Sequence, residues 1–345
     1  MKILADRVTR RCLASLFTLP TAFVWQARAQ PAQTDALTTI DPDGTVHIRR
    51  AIPVPRTVSS EAYAKLVTGT SWAPDEGSKE AADILEKLRV AYPVDIEHTS
   101  VGGVAVKMVT PKNAAPHKKD RVLLCVHGGG FQTDSGSFIE AIPIASLTAT
   151  RVISVEYRLA PKFPYPAAVE DSVAVYKEVL KTHSPKKIAL YGTSAGAILT
   201  AETAVQLRKL GLPLPAALGF FSGFADMARR GDAGHIYSIP GFMGFQPPSG
   251  KPLSAYVGNT DPKDPVLSPI YANLKGFPPT LCMTGTRDIC LSGTVDFHRA
   301  LLRAGVDAHL MVFDAMPHAH WYSFDFPESK EALEAQARFL DRHLA

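Results

Sequence analysis

The residues of this 345-residue chain best placed to do chemistry form the run Gly192-Thr193-Ser194-Ala195-Gly196. The strand-like stretch Lys187–Tyr191 leads directly into it, and a helix is expected to begin near Ala195. A serine at a strand-to-helix turn is held in a strained conformation with its hydroxyl exposed, and the flanking glycines remove side chains that would block the turn. The same turn aims a helix N-terminus, and the N–H of Ala195, at any anion forming beside the hydroxyl. This is the setting of a nucleophile that attacks a carbonyl carbon. Upstream, His127-Gly128-Gly129-Gly130-Phe131 follows the apolar run Val122–Val126. Three successive glycines leave backbone N–H groups approachable, which is what stabilising a tetrahedral oxyanion requires. The expected donors are the N–H groups of Gly128, Gly129 and Ala195, with His127 hydrogen-bonded inside the loop.

A serine nucleophile needs a base, and the base needs a carboxylate to orient it. Asp288, in Thr284-Gly285-Thr286-Arg287-Asp288, follows a strand and so lies at the same edge of a sheet as the other motifs. Further on, Phe313-Asp314-Ala315-Met316-Pro317-His318-Ala319-His320-Trp321 offers two histidines, His318 and His320, as the base. Asp314 is a rival carboxylate but stands too near His318 in sequence to be the expected partner. The order serine, aspartate, histidine is the one this architecture uses. His-x-His also invites a metal reading, but no third ligand at a recognisable spacing supports zinc, and neither metal nor cofactor is expected.

The elements that must position these residues are legible as alternating patterns. Strand-like runs are Ala105–Val109, Val122–Val126, Val152–Val155, Ile188–Tyr191, Ala217–Phe221, Leu281–Thr284 and His309–Phe313. Several are almost wholly apolar, as suits strands covered on both faces. Between them lie helical stripes: Val169, Val173, Tyr176 and Leu180; Ile198, Ala201, Val205 and Leu207; Leu333, Ala337, Leu340 and Leu344. Such alternation implies an α/β fold, a mostly parallel sheet flanked by helices. Before it, Ser60 is expected to cap a short helix over Glu61–Val67 closed by Gly69, and a second helix runs from Ser78 through Leu85, Leu88 and Tyr92. Residues 225–279 break the rhythm, being rich in Gly, Pro and aromatics, and are expected to form part of a small cap over the site.

Composition, 46% hydrophobic and 20% charged, is that of an ordinary globular protein. The first 29 residues have the form of an export signal: a basic start, an uncharged stretch from Cys12 to Trp25, and Ala27-Arg28-Ala29 as a small-x-small cleavage site. Arg10-Arg11 also hints at a twin-arginine signal. The apolar stretch is short for a bilayer and Pro20 interrupts it, so no integral span is expected. Removing the segment takes with it Lys2, Arg7, Arg10, Arg11, Arg28 and Asp6, which leaves basic and acidic residues equal in number. Nothing then points to nucleic acid. The expected location is the periplasm or the exterior. Cys125 and Cys282 sit in apolar runs as free thiols, and Cys290 is the one candidate to pair with Cys282.

Taken together, the motifs resemble those of the hormone-sensitive-lipase family, the bacterial family IV esterases, within the α/β-hydrolases. Beyond His127–Phe131 and Gly192–Gly196, the run Glu156-Tyr-Arg-Leu-Ala-Pro-Lys-Phe-Pro-Tyr-Pro-Ala-Ala-Val-Glu-Asp171 is close to the family signature, and Thr286–Thr294 is similar to the acidic motif of its GTSAG subgroup. The resemblance covers about residues 95–345, with 30–94 as an arm and cap helices and a cap insertion near 225–279. It implies an α/β-hydrolase fold, catalytic Ser194, Asp288 and His318, and hydrolysis of short- to medium-chain carboxylic esters. It favours His318 because the family pattern is Met-x-His with an aromatic two positions on; here His320 occupies that position and Ala315 stands where glycine is usual. Phe131, Tyr237, Phe242 and Phe245 are expected to wall an acyl pocket. The same triad would serve an amide, lactone or acetylated-carbohydrate bond, and a ligand-binding protein on this scaffold is the reading outside enzymes.

Overall fold

Short runs of β-branched and apolar residues form the centre of the structure, a computed structural model that describes residues 37–43, 46–49, 53–68, 79–229, 231–236 and 253–344. Two units are distinguished, residues 1–53 and 54–345. The first holds an antiparallel pair, β1 (Leu37–Ile40) and β2 (Val46–Arg49). The second contains β3 (Val94–Val101), β4 (Val104–Pro111), β5 (Val122–Val126), β6 (Arg151–Val155), β7 (Ile188–Thr193), β8 (Ala217–Phe221), β9 (Thr280–Arg287) and β10 (Ala308–Pro317). Among the described residues these form one eight-stranded sheet in the order β10-β9-β8-β7-β5-β6-β4-β3. Pairing is parallel from β10 through β6 and antiparallel at β6–β4 and β4–β3.

Side chains alternate across this sheet with the strand period of two. Val122, Leu124 and Val126 of β5 join one core, against α4 (Ala167–Val179), α5 (Ala195–Lys209) and α8 (Leu291–Arg303). Leu123 and Cys125 join the other, against α3 (Ser137–Thr148) and α9 (Pro327–His343). Leu88 of α2 (Lys79–Ala91) and Ala62 of α1 (Ser60–Thr68) pack into that second core. The β8–β9 insertion carries α6 (Gly231–Ile236) and α7 (Ser254–Val257), a small cap on the layered sheet.

Each expected strand run lies within a strand. The antiparallel edge strand β3 was not expected: most of its side chains face solvent, so it lacks an apolar run. Nor was α3, whose apolar residues surround the helix and blur its period, with Pro143 inside it. At α1 the cap is Ser59 rather than Ser60: Ser59 Oγ accepts the Ala62 N–H at 3.1 Å, while Ser60 Oγ donates to its neighbour Glu61. Gly69, the expected stop of that helix, and the whole of residues 1–29 lie outside the described residues. Among the described residues no helix is long and apolar enough to cross a membrane.

Candidate active site

Ser194 is the one residue between β7 and α5, and it turns the chain with φ 59° and ψ −119°. A side chain at positive φ is strained by about 1–3 kcal/mol, which the surroundings must hold in place. Here its N–H donates to Phe221 O on β8 at 2.8 Å. The glycines on either side allow close approach to one atom: a Cβ on Gly192 would lie 2.2 Å from Val126 O, and one on Gly196 only 1.8 Å from it. The turn therefore seats on the last carbonyl of β5, the residue before the His127 loop.

Asp288 leaves the end of β9 and is fully buried. Its Oδ1 accepts the Cys290 N–H and His318 Nδ1, each at 2.8 Å, and its Oδ2 accepts the Thr284 hydroxyl at 2.7 Å. Burial alone would raise this carboxyl; the His318 ring beside it and the donated hydrogen bonds outweigh that and hold it below its ordinary value. With Nδ1–H donated to Asp288, Nε2 of His318 is left as an acceptor, and it stands 2.9 Å from Ser194 Oγ. Three segments distant in sequence thus meet in one chain of hydrogen bonds.

His320 is nowhere in that chain. It is fully buried against Phe313 and Trp321, with ring centroids 4.8 and 5.0 Å away, and among the described residues neither ring nitrogen makes a hydrogen bond of good geometry. Burial lowers its pKa to about 3, the Asp288 charge and nearby backbone opposing only in part. It fills an aromatic's place. Asp314 is exposed and accepts from Thr286 Oγ1, away from His318. Ala315 adopts φ 58°, a left-handed conformation that suits glycine better.

The glycine loop requires one correction. The Gly128 N–H was expected to face the oxyanion; instead it is buried and donates to Glu140 Oε1 at 2.9 Å. A donor already held by a buried carboxyl oxygen is not available to substrate. Among the described residues the N–H groups of Gly129, Gly130 and Ala195 have no hydrogen-bond partner, and both glycines are partly exposed, with positive φ. His127 braces the loop as expected: its Nδ1 donates to Gly128 O at 2.7 Å, and its ring stacks on Tyr157, whose hydroxyl donates to His127 O. Phe131, expected on an acyl pocket, has no exposed surface; its ring lies flat on Tyr256, centroids 3.5 Å apart, and Tyr256 donates to buried Glu202 at 2.6 Å. Tyr237, Phe242 and Phe245 lie outside the described residues.

Residues the motifs did not single out also meet here: Glu140, Tyr322, Thr284 and Tyr256. The signal for Glu140 was its isolation, one acid within the apolar run of residues 138–147. Of the groups that could hold a metal ion, Asp288, Cys290 and His318 bring ligand atoms within 4.8 Å of one another. Two of these are the pair already joined through Nδ1 and Oδ1, so a cation there would compete with that hydrogen bond. Cys125, Cys282 and Cys290 are buried thiols outside any disulfide, so the candidate pairing of Cys290 with Cys282 is not formed.

Known proteins resemble this chain over the region that holds the site. A family profile described as alpha/beta hydrolase fold matches residues 123–322. An acetyl-hydrolase of Streptomyces hygroscopicus is 32% identical over 69% of this chain and 81% of its own length. The carboxylesterase NlhH of Mycobacterium tuberculosis is 29% identical over 77% of this chain and 86% of its own. Among solved structures, esterase E25 superposes with a TM-score of 0.73 at 33% identity, covering 86% of this chain and 98% of that one. An esterase from the bacterial hormone-sensitive lipase family gives a TM-score of 0.65 at 30% identity, covering 78% and 99%.

Proposed function

Since the chain belongs to the α/β-hydrolase family, in its bacterial hormone-sensitive-lipase group of esterases, we propose that it is a serine carboxylesterase working through an acyl-enzyme at Ser194. The observation that carries this reading is the hydrogen-bonded series Ser194 Oγ, His318, Asp288, with links of 2.9 and 2.8 Å. Ser194 Oγ attacks the ester carbonyl as His318 Nε2 takes its proton, and buried Asp288 steadies the imidazolium. The N–H groups of Gly129, Gly130 and Ala195 hold the oxyanion. His318 returns the proton to the departing alcohol, leaving the acyl group on Oγ. Water then attacks the acyl-enzyme with His318 again as base, releasing the carboxylic acid and restoring the serine.

Short- to medium-chain esters are the proposed substrates; the naming of one relative as an acetyl-hydrolase supports the short end of that range. The cap is proposed to comprise the N-terminal helices together with residues 225–279, over a core of residues 95–345. Export to the periplasm or exterior is proposed on the basic, apolar and small-residue pattern of residues 1–29. The test of the chemistry is hydrolysis of p-nitrophenyl butyrate by Ser194→Ala and His318→Ala. Each should lower kcat by about 10⁴-fold or more. Undiminished turnover by Ser194→Ala would end the reading.

A further inference from the structure

One buried side chain touches three of the four segments that carry the proposed chemistry. Glu140 stands in the first turn of α3 with no solvent exposure beyond a trace. Its Oε1 accepts the Gly128 N–H at 2.9 Å and the Tyr322 hydroxyl at 2.6 Å. Its Oε2 accepts the Thr193 N–H at 2.9 Å and faces Cys125 Sγ at 3.9 Å. Gly128 immediately precedes the oxyanion glycines. Thr193 immediately precedes the nucleophile. Tyr322 ends the short 3₁₀ turn four residues after His318. We propose that Glu140 is the positioning residue of this site, fixing the oxyanion loop, the nucleophile turn and the histidine segment at one set of separations.

The chemistry of the side chain supports this assignment. Two of its partners are backbone N–H groups, which can only donate, so the site needs an acceptor on each side of the same planar group. Only a carboxyl group offers two acceptor oxygens in that geometry. An amide cannot replace it: whichever way it turns, its NH₂ meets either the Gly128 or the Thr193 N–H, and a buried donor loses its partner. Burial pushes the Glu140 pKa up to about 8, with the hydrogen bonds from Tyr322, Gly128 and Thr193 pulling the other way. Room around it is tight: a Cβ on Gly128 would lie 2.8 Å from the Tyr322 hydroxyl, and one on Gly136 would lie 2.0 Å from Glu140 Oε1. The core itself does not require an acid here, since its neighbours along α3 are apolar. What requires it is the pair of backbone donors.

The inference rests on the esterase reading, and its test separates the two. Glu140→Gln and Tyr322→Phe would be compared with wild type in p-nitrophenyl butyrate hydrolysis, with kcat taken per site that a fluorophosphonate labels and folding followed by thermal melting. Misplaced oxyanion donors cost the transition state more than the ground state, so Glu140→Gln should lower kcat by about 30-fold or more while KM changes by less than about threefold. Tyr322→Phe removes one arm without stranding a backbone donor and should lower kcat by about three- to tenfold. A residue that only supported the fold would lower the melting temperature and leave kcat per labelled site unchanged. A folded Glu140→Gln enzyme with kcat within about threefold of wild type would overturn the proposal; if that variant does not fold, undiminished kcat in Tyr322→Phe would do so. Retained turnover in Ser194→Ala would strike the esterase reading instead.

Discussion

His320 makes a quantitative demand on stability that can be isolated by one substitution. Its imidazole is fully buried between Phe313 and Trp321, with no well-formed hydrogen bond to either nitrogen among the described residues, and its pKa in the folded chain is about 3 against an ordinary 6.5. The unfolded chain therefore binds a proton at this residue in mild acid that the folded chain does not. Above 6.5 the two states are alike and the residue contributes no pH dependence; as pH falls from 6.5 toward about 3, stability is progressively lost. At about pH 5 the loss amounts to about 2 kcal/mol. His320→Phe removes the titration and the two poorly bonded nitrogens while keeping a ring in the pocket. Unfolding free energies from urea titrations of both proteins, at about pH 7.5 and about pH 5, give the comparison. The variant should be more stable by about 1 kcal/mol at the higher pH, since the poorly bonded nitrogens are gone. Its advantage should grow by about 2 kcal/mol at the lower pH. Other histidines titrate in both proteins and cancel in the difference. An advantage equal at the two pH values would refute the reasoning, because the folded imidazole would then be accepting its proton as readily as the unfolded one.

Two further substitutions test the backbone of the site. Gly196→Ala would place a methyl group 1.8 Å from Val126 O, and the turn would have to move; a loss of about 3 kcal/mol or more is expected, read as a lowered melting temperature. Ala315, at φ 58° and 1% exposed, carries a methyl group where a β-branched side chain would be strained. Ala315→Val should cost about 2–3 kcal/mol by urea titration, whereas a stability equal to wild type would show that the left-handed turn is not held as described.

The legible part of this fold was the part governed by local pattern. The apolar runs at Val122–Val126 and Ile188–Tyr191 had to be covered strands, and both are central in the sheet. Ser194 was legible because a turn of that tightness needs glycines at fixed offsets. What escaped was whatever depended on partners far along the chain. Gly128 looks identical to Gly129 in sequence, and only Glu140, reaching back from α3, distinguishes them by taking one N–H. The competition between His318 and His320 was likewise undecidable from spacing alone: the two differ by which pocket the loop after β10 presents to each. Phe131 was expected to wall a pocket, yet Tyr256, distant in sequence, covers its face.

The carbonyl of Val126 lies wedged between Gly192 and Gly196. The turn that carries the proposed nucleophile and the loop that carries two of the proposed oxyanion donors therefore meet at a single carbonyl. If the reaction runs as proposed, this contact sets the distance between them, and the motion that admits an ester or releases an acid falls to chain farther away. Changes in the surrounding walls can alter which molecule arrives without disturbing the separation at which bonds are made and broken.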